Sequence, residues 1–223
     1  MSMAALGALL QLSSPALPVG AYSYSQGLEA AVEAGMVREE ASALRWISDA
    51  LSCVLARYEA PLWLRLHSAH LSRDRAALQA WNDDFLATRE TAELRAETVQ
   101  MGYSLVQLMR GLNMATDLLP AAGSSVTFPT AHAGACAAWG IDAEAGLYAY
   151  LYAWAENQVT AAIKCVPLGQ TAGQRLLLAL RASVARAVQL AFELDDDALS
   201  TQTPMLAILG SRHETQYSRL FRS

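Results

Sequence analysis

Residues 167–197, PLGQTAGQRLLLALRASVARAVQLAFELDDD, decide the fold class. Leu176, Leu177, Leu180, Val184, Ala187, Val188 and Ala191 recur at steps of three and four, so they form one stripe of a long helix. Arg175, Arg186, Gln189 and Glu193 fall on its back. Pro167 and Gly169 end the helix before it, and the acidic run 195–197 closes it. A stripe this long and regular has the helical period and none of the two-residue alternation of a strand.

The same period extends outward in both directions. Asp142 is placed to cap a helix whose stripe is Tyr148, Leu151, Tyr152, Ala155, Val159, Ala162 and Ile163. Leu44, Ile47, Leu51, Val54, Leu55 and Tyr58 define one face of a helix over residues 39–58, with Trp46 and Cys53 on the other side. Pro61 cannot continue that ladder but suits a first turn, so a new helix is expected near Ala60, carrying Leu62, Trp63, Leu66 and Leu71, with Asp74 capping the next. Residues 75–88 and 89–110 stay helical. The second of these segments is charged at first, with its charged half expected to be exposed, and turns apolar at Val99, Met101, Tyr103, Leu105 and Leu108. Residues 113–130 hold Pro120, Gly123 and Pro129 and read as a loop, although their SSVTF is the one β-like run, and helix resumes over 131–139. Pro204 starts a last helix. The fold class is all-α: a single globular bundle of roughly ten helices.

Composition bounds the function. A chain of 223 residues with no Ser/Gly/Pro linker suits one domain over residues 1–223. With 53% hydrophobic and 17% charged residues it can fill a core and cover an interface as well. A net charge of -5 and a pI near 5.4 leave no basic footprint, so neither nucleic acid nor a membrane surface is expected as partner. Cys53, Cys136 and Cys165 are odd in number and lack CxxC spacing, which fits reduced thiols and a cytoplasmic location. The opening MSMAALGALLQL is apolar but without a positive leader, the first basic residue being Arg38, so export is not expected. No uncharged apolar run reaches the roughly 20 residues of a spanning helix.

Five places stand out from this frame. In residues 16–35, ALPVGAYSYSQGLEAAVEAG, Pro18 and Gly20 set a defined approach to a helix that Ser25 can cap, Glu29 can favour at its positive end and Gly35 can end. Lys164 is the sole lysine. It reads either as a cation at the negative end of its helix or as a partner-facing or gating group, and it shares with Tyr150 and Asn157 a polar face that is not simply solvated. His67 and His70, three apart on a helix, are the one metal-like pair, more typical of surface or interface histidines because no third ligand is near. RETAELRAE, residues 89–97, offers an Arg89–Glu93 pair at i, i+4 on a solvated face. The terminal SRHETQYSRLFRS mixes aromatics with arginines, the types that anchor interfaces, so residues 211–223 are expected to order on a partner. No HExxH, GxSxG, phosphate-loop or dinucleotide fingerprint is present.

LPVGAYSYSQGLEAAVEAG, RETAELRAE, AAIKCVPLGQ and SRHETQYSRLFRS, in this order and spacing, resemble the corresponding segments of the urease accessory protein UreF family over essentially the whole chain. The resemblance implies an all-helical homodimer that is not an enzyme. It implies an adaptor joining the UreD/UreH-type scaffold and the UreG-type GTPase to load nickel into apo-urease. It makes Tyr22, Tyr24, Tyr217, Arg219 and Arg222 candidates for scaffold contact, and Lys164 and Gln170 candidates for the face that senses the GTPase or the nickel path. No tightly bound cofactor is expected, nickel being handled by the complex. The residues also leave open an all-α enzyme using Lys164 with His132 or Glu156, or a helical dimerisation module unrelated to urease.

Overall fold

The computed structural model describes residues 1–119, 125–201 and 203–223, so Pro120 and Gly123 of the expected loop lie outside the described residues. In chain order the helices are α1 (Met3–Leu12), α2 (Leu28–Glu33), α3 (Glu40–Ala50), α4 (Ala60–Ser72), α5 (Arg75–Ala87), α6 (Ala92–Gly111), α7 (Phe128–Ala138), α8 (Ala143–Cys165), α9 (Gln170–Glu193) and α10 (Pro204–Glu214). The described residues contain no strand. The chain is all-α and forms one globular unit around a single core.

The caps fall where short polar residues were expected to place them. Asp74 Oδ1 accepts from the Ala77 amide at 3.0 Å and Asp142 Oδ1 from the Ala145 amide at 2.8 Å, each satisfying a donor of the first turn. Pro129 sits in the first turn of α7, so that helix begins at Phe128, three residues earlier than expected.

A new α-helix does begin at Ala60 with Pro61 in its first turn, as expected, but no interruption separates it from the helix before. The backbone runs helically from α3 through a π-helical segment, Leu51–Glu59, straight into α4. A proline inside an α-helix withholds one donor and crowds the carbonyl four residues back. The wider π turn relieves that crowding, and the carbonyl in question, that of Arg57, accepts instead from the Ser200 amide at 3.1 Å. Leu71, expected on the apolar face of α4, is 63% exposed because it lies five residues from Leu66, well off the stripe that buries Leu62, Trp63 and Leu66.

α4 lies at the centre, against α5, α7, α8 and α9, and α8 and α9 pack along each other through the stripes read from sequence. Leu176, Leu177, Leu180, Val184, Ala187, Val188 and Ala191 are all buried. α7, whose sequence FPTAHAGACAA is mostly small, slips between α4 and α6. At Gly102 of α6 a Cβ would strike the backbone of Val126 and Thr127, so that helix meets the segment leading into α7 almost in direct backbone contact. Among the described residues no helix is long and apolar enough to cross a membrane.

Candidate functional site

The two sequence segments singled out near the chain ends meet. Gly20 has φ +78, which lets the chain turn through a 3-10 turn, Ala21–Ser23, before α2. Ser25 is wholly buried. Its amide and its hydroxyl both donate to the main-chain oxygen of Ser223, at 2.9 and 2.5 Å, and the Gln26 amide donates to the same oxygen at 3.1 Å. Gln26 holds a left-handed φ of 51, a costly conformation for a non-glycine residue. Its side chain fixes it there by donating to Glu97 Oε1 and accepting from Trp154 Nε1, both at 2.6 Å. The Arg222 amide donates to the Ser23 carbonyl at 2.8 Å, and Asn157 of α8 donates to the Tyr24 carbonyl at 3.0 Å.

Glu29 is the hub. It lies in the first turn of α2 as expected, yet it is buried and serves the tail. Its Oε1 accepts from the Leu220 amide at 2.7 Å, and its Oε2 accepts from the Phe221 amide at 3.0 Å. His213, wholly buried on α10, places Nε2 3.2 Å from Glu29 Oε2 and Nδ1 2.6 Å from Glu93 Oε2. Arg219 donates to Glu93 Oε1 at 2.5 Å, and Glu214 Oε1 accepts from the Ala92 amide at 2.8 Å, capping α6 where the helix dipole favours a carboxylate.

The RETAELRAE reading is corrected here. Arg89 precedes the first turn of α6, pairs with Glu59 at 3.6 Å and lies 4.1 Å over the Phe85 ring, so the Arg89–Glu93 pair is not made. Glu97, expected on a solvated face, is only 5% exposed. It accepts from Gln26 and, at 2.7 Å, from the Ser223 hydroxyl, and burial pushes its carboxyl up to about 7. Glu97 falls between Leu94 and Met101 on the stripe that enters the core, and a carboxylate on an apolar stripe is the signal that could have marked it. Glu29, Gln26 and His213 carried no comparable signal, because only the folded chain brings them together.

The residues expected to meet partners divide by exposure. Tyr22 is 64% exposed, Tyr217 is fully exposed, and Arg219, Leu220 and Arg222 are exposed as well. Tyr24 is buried. Burial raises the pKa of its hydroxyl and the Arg222 guanidinium beside it opposes that, so Tyr24 positions Arg222 rather than facing outward. The tail is ordered by contact with its own chain, with Phe221 buried. Lys164, in the last turn of α8, is exposed and holds Nζ 5.2 Å from the Phe221 ring centroid. The polar face it shares with Tyr150 and Asn157 is covered from two sides: Asn157 bonds the Tyr24 carbonyl of the N-terminal motif, and Tyr150 is buried and donates to Glu59 Oε1 at 2.5 Å. Gln170 opens α9, exposed, across the turn from Lys164.

His67 and His70 are core residues. Each is buried and donates Nε2–H to a carbonyl, of Ile141 at 3.1 Å and of Thr130 at 3.2 Å. Burial lowers the pKa of both, His70 to about 4. Among the described residues no group of three or more His, Cys, Asp or Glu is placed to hold a metal ion. The constellation of Lys164 with His132 or Glu156 is not assembled. His132 is buried, accepts at Nδ1 from Trp63 Nε1 at 3.3 Å and has its pKa pushed down to about 3 by burial. Glu156 lies two turns from Lys164 along α8, roughly 12 Å. His132 and Glu156 do line one cavity of about 160 Å³, with Glu59, Arg89, Glu97 and Tyr150, but Lys164 is not on its wall.

The profile of the UreF family matches residues 37–181, about two thirds of the chain. A urease accessory protein UreF of Azoarcus sp. (strain BH72) is 58% identical over 96% of this chain and 94% of that protein. One of Janthinobacterium sp. (strain Marseille) is 53% identical over the whole of both chains. A bifunctional urease accessory protein UreEF of Bordetella bronchiseptica is 53% identical over 98% of this chain, which spans 52% of that longer protein.

Proposed function

The chain belongs to the UreF family of urease accessory proteins, and from that premise we propose that it works as the adaptor through which a UreD/UreH-type scaffold and a UreG-type GTPase are brought together to load nickel into apo-urease. Its relatives are named urease accessory proteins, which supports an accessory role rather than an enzymatic one. The observation that carries the adaptor reading is the clasp: the terminal segment is fixed through its backbone and Phe221, which leaves Tyr217, Leu220 and Arg222 outward. Large aromatic and Arg side chains held rigidly in solvent bind at small entropic cost. Together with Tyr22 they form the scaffold-facing surface, Arg219 and Tyr24 position it, and Lys164 with Gln170 faces the GTPase or the nickel path. The homodimer and the cytoplasmic location follow from the same reading. In this reading nickel passes through the complex without being stored here; it favours imidazole, thiolate and oxygen ligands, which the described residues do not cluster. The bifunctional relative supports a setting in which a second urease accessory function works beside this one.

The test is co-purification with the scaffold of the intact chain, a chain truncated after Gly210, and the double variant Tyr217→Ala/Arg222→Ala. The double variant alters exposed side chains and leaves His213 and Phe221 in place. Capture by the intact chain and loss in both others supports the surface. Equal capture by all three transfers the role to Tyr22, and capture by none overturns the adaptor reading. Lys164→Ala should weaken GTPase docking or nickel loading; if both are unchanged, its assignment is wrong.

A further inference from the structure

The cavity lined by His132, Glu59 and Tyr150 also takes Leu12, Leu17 and Met101 into its wall, so much of what it offers a ligand is apolar. Its volume of about 160 Å³ is close to the roughly 150 Å³ at which an apolar cavity takes in benzene. The rings of Phe128, His132 and Tyr150 stand against one another on that wall, with centroids 5.8, 5.6 and 5.0 Å apart. Two polar atoms here lack a partner, one a donor and one an acceptor. His132 is 2% exposed and its Nδ1 accepts from Trp63 Nε1 at 3.3 Å, so the ring proton lies on Nε2. Burial pushes its pKa down to about 3, which keeps the ring a neutral donor at ordinary pH. Among the described residues nothing accepts that proton. Glu59 Oε1 accepts from the Tyr150 hydroxyl, but nothing described donates to Oε2, because the Arg89 guanidinium stands 3.6 Å away, beyond hydrogen-bond distance. A shielded donor and a shielded acceptor left open cost free energy until something bonds them.

We propose that the cavity is a binding site for a small neutral carboxamide with a ring-sized apolar body, held by His132 and Glu59. The amide oxygen accepts from His132 Nε2 and the amide NH2 donates to Glu59 Oε2, which supplies what each atom lacks. The apolar body covers Leu12, Leu17, Met101 and the face of Phe128. Charge selects against the alternatives. An anion would meet Glu59, Glu97 and Glu156, while the Arg89 guanidinium that could offset them already pairs with Glu59 and stacks 4.1 Å over Phe85. A cation has no lone pair to offer the His132 N–H and leaves that donor open. Water bonds both atoms but leaves the apolar wall uncovered.

The site stands apart from the adaptor reading, because it is tested on the isolated full-length chain with no partner present. Benzamide is the probe, and benzoate and benzylamine, of similar shape but opposite charge, are the controls. Backbone-amide NMR follows each titration. Benzamide should bind saturably and at least tenfold more tightly than either control, with the shifts gathered on α7, α8 and the residues around Glu59. His132→Phe keeps the ring and removes the donor, and should weaken benzamide at least tenfold. Ala153→Leu places a larger side chain on a half-buried stretch of the wall and should block benzamide while the helical content is unchanged. Ring-nitrogen NMR on the unsubstituted protein covers the case in which His132→Phe fails to fold. The His132 Nε2 resonance should move in step with benzamide saturation. No saturation, equal affinity for a charged control, unweakened binding in Ala153→Leu, or an Nε2 resonance that stays put at saturation overturns the proposal.

Discussion

Glu97→Gln separates the electrostatic cost of this buried carboxyl from its hydrogen bonding. The side chain is buried, and burial raises its pKa from 4.5 to about 7, with Glu59 adding to the rise and the Gln26 and Ser223 bonds and Arg89 opposing it. A carboxyl whose folded pKa is raised contributes stability that is fully present below the unfolded value and is lost as pH rises through the folded one. The window is therefore from 4.5 to about 7, and at higher pH the natural chain bears the whole cost of ionisation. At 1.36 kcal/mol per pKa unit that cost is on the order of 3 kcal/mol. Glutamine fits the same contacts: its oxygen can accept from Gln26 Nε2, and its amide can donate to the Ser223 hydroxyl, which turns to accept. The two chains should thus be matched near pH 4.5, and the variant should gain on the natural chain up to about pH 8. In a domain of this size the difference should be a melting temperature higher by roughly 6–12 °C. Urea unfolding at closely spaced pH values, with the slope checked for constancy, measures it. Parallel pH profiles, or a natural chain that gains on the variant as pH rises, would show that Glu97 is already solvated and charged in the fold.

Two further outcomes follow from the packing. In Gly102→Ala the new methyl would strike the Val126 and Thr127 backbone, which cannot swing aside as a side chain can, so calorimetry should show a loss of about 1–3 kcal/mol; a neutral or stabilising result would mean that α6 and α7 are not in this close register. His70 is held neutral by burial with its pKa near 4, so its contribution is present above the imidazole value of 6.5 and is lost as pH falls toward 4. The acid branch of the stability profile should accordingly be shallower for His70→Gln than for the natural chain, and equal slopes in urea titrations would count against a buried neutral ring.

The chain ends explain why the proposed partner surface was only half legible. Aromatics and arginines in residues 211–223 signalled contact, but the first contact they make is internal, with Glu29 and Ser25 of the opening motif. Lys164 drew notice as the single lysine, and its position over the Phe221 ring links it to the same clasp. His67 and His70 looked like ligands because helical spacing brings two imidazoles to one face. Whether a carbonyl or a solvent path stands opposite that face is information spacing does not contain.

What the sequence determined by itself is whatever neighbours along the chain decide. The period of Leu176, Leu180, Val184 and Ala191 makes a helix and chooses its buried face, and Asp74 and Asp142 fix starts by bonding amides three residues on. Four ordered motifs carried the family. Tertiary structure alone decided that Pro61 would be absorbed in a π turn, because the freed Arg57 carbonyl finds the Ser200 amide far along the chain. It alone decided that Glu29 and Glu97 would be buried, and Glu93 half-buried, around His213 and Ser223, because a carboxylate leaves water only where donors from distant segments converge on it, and that convergence is a property of the packed helices.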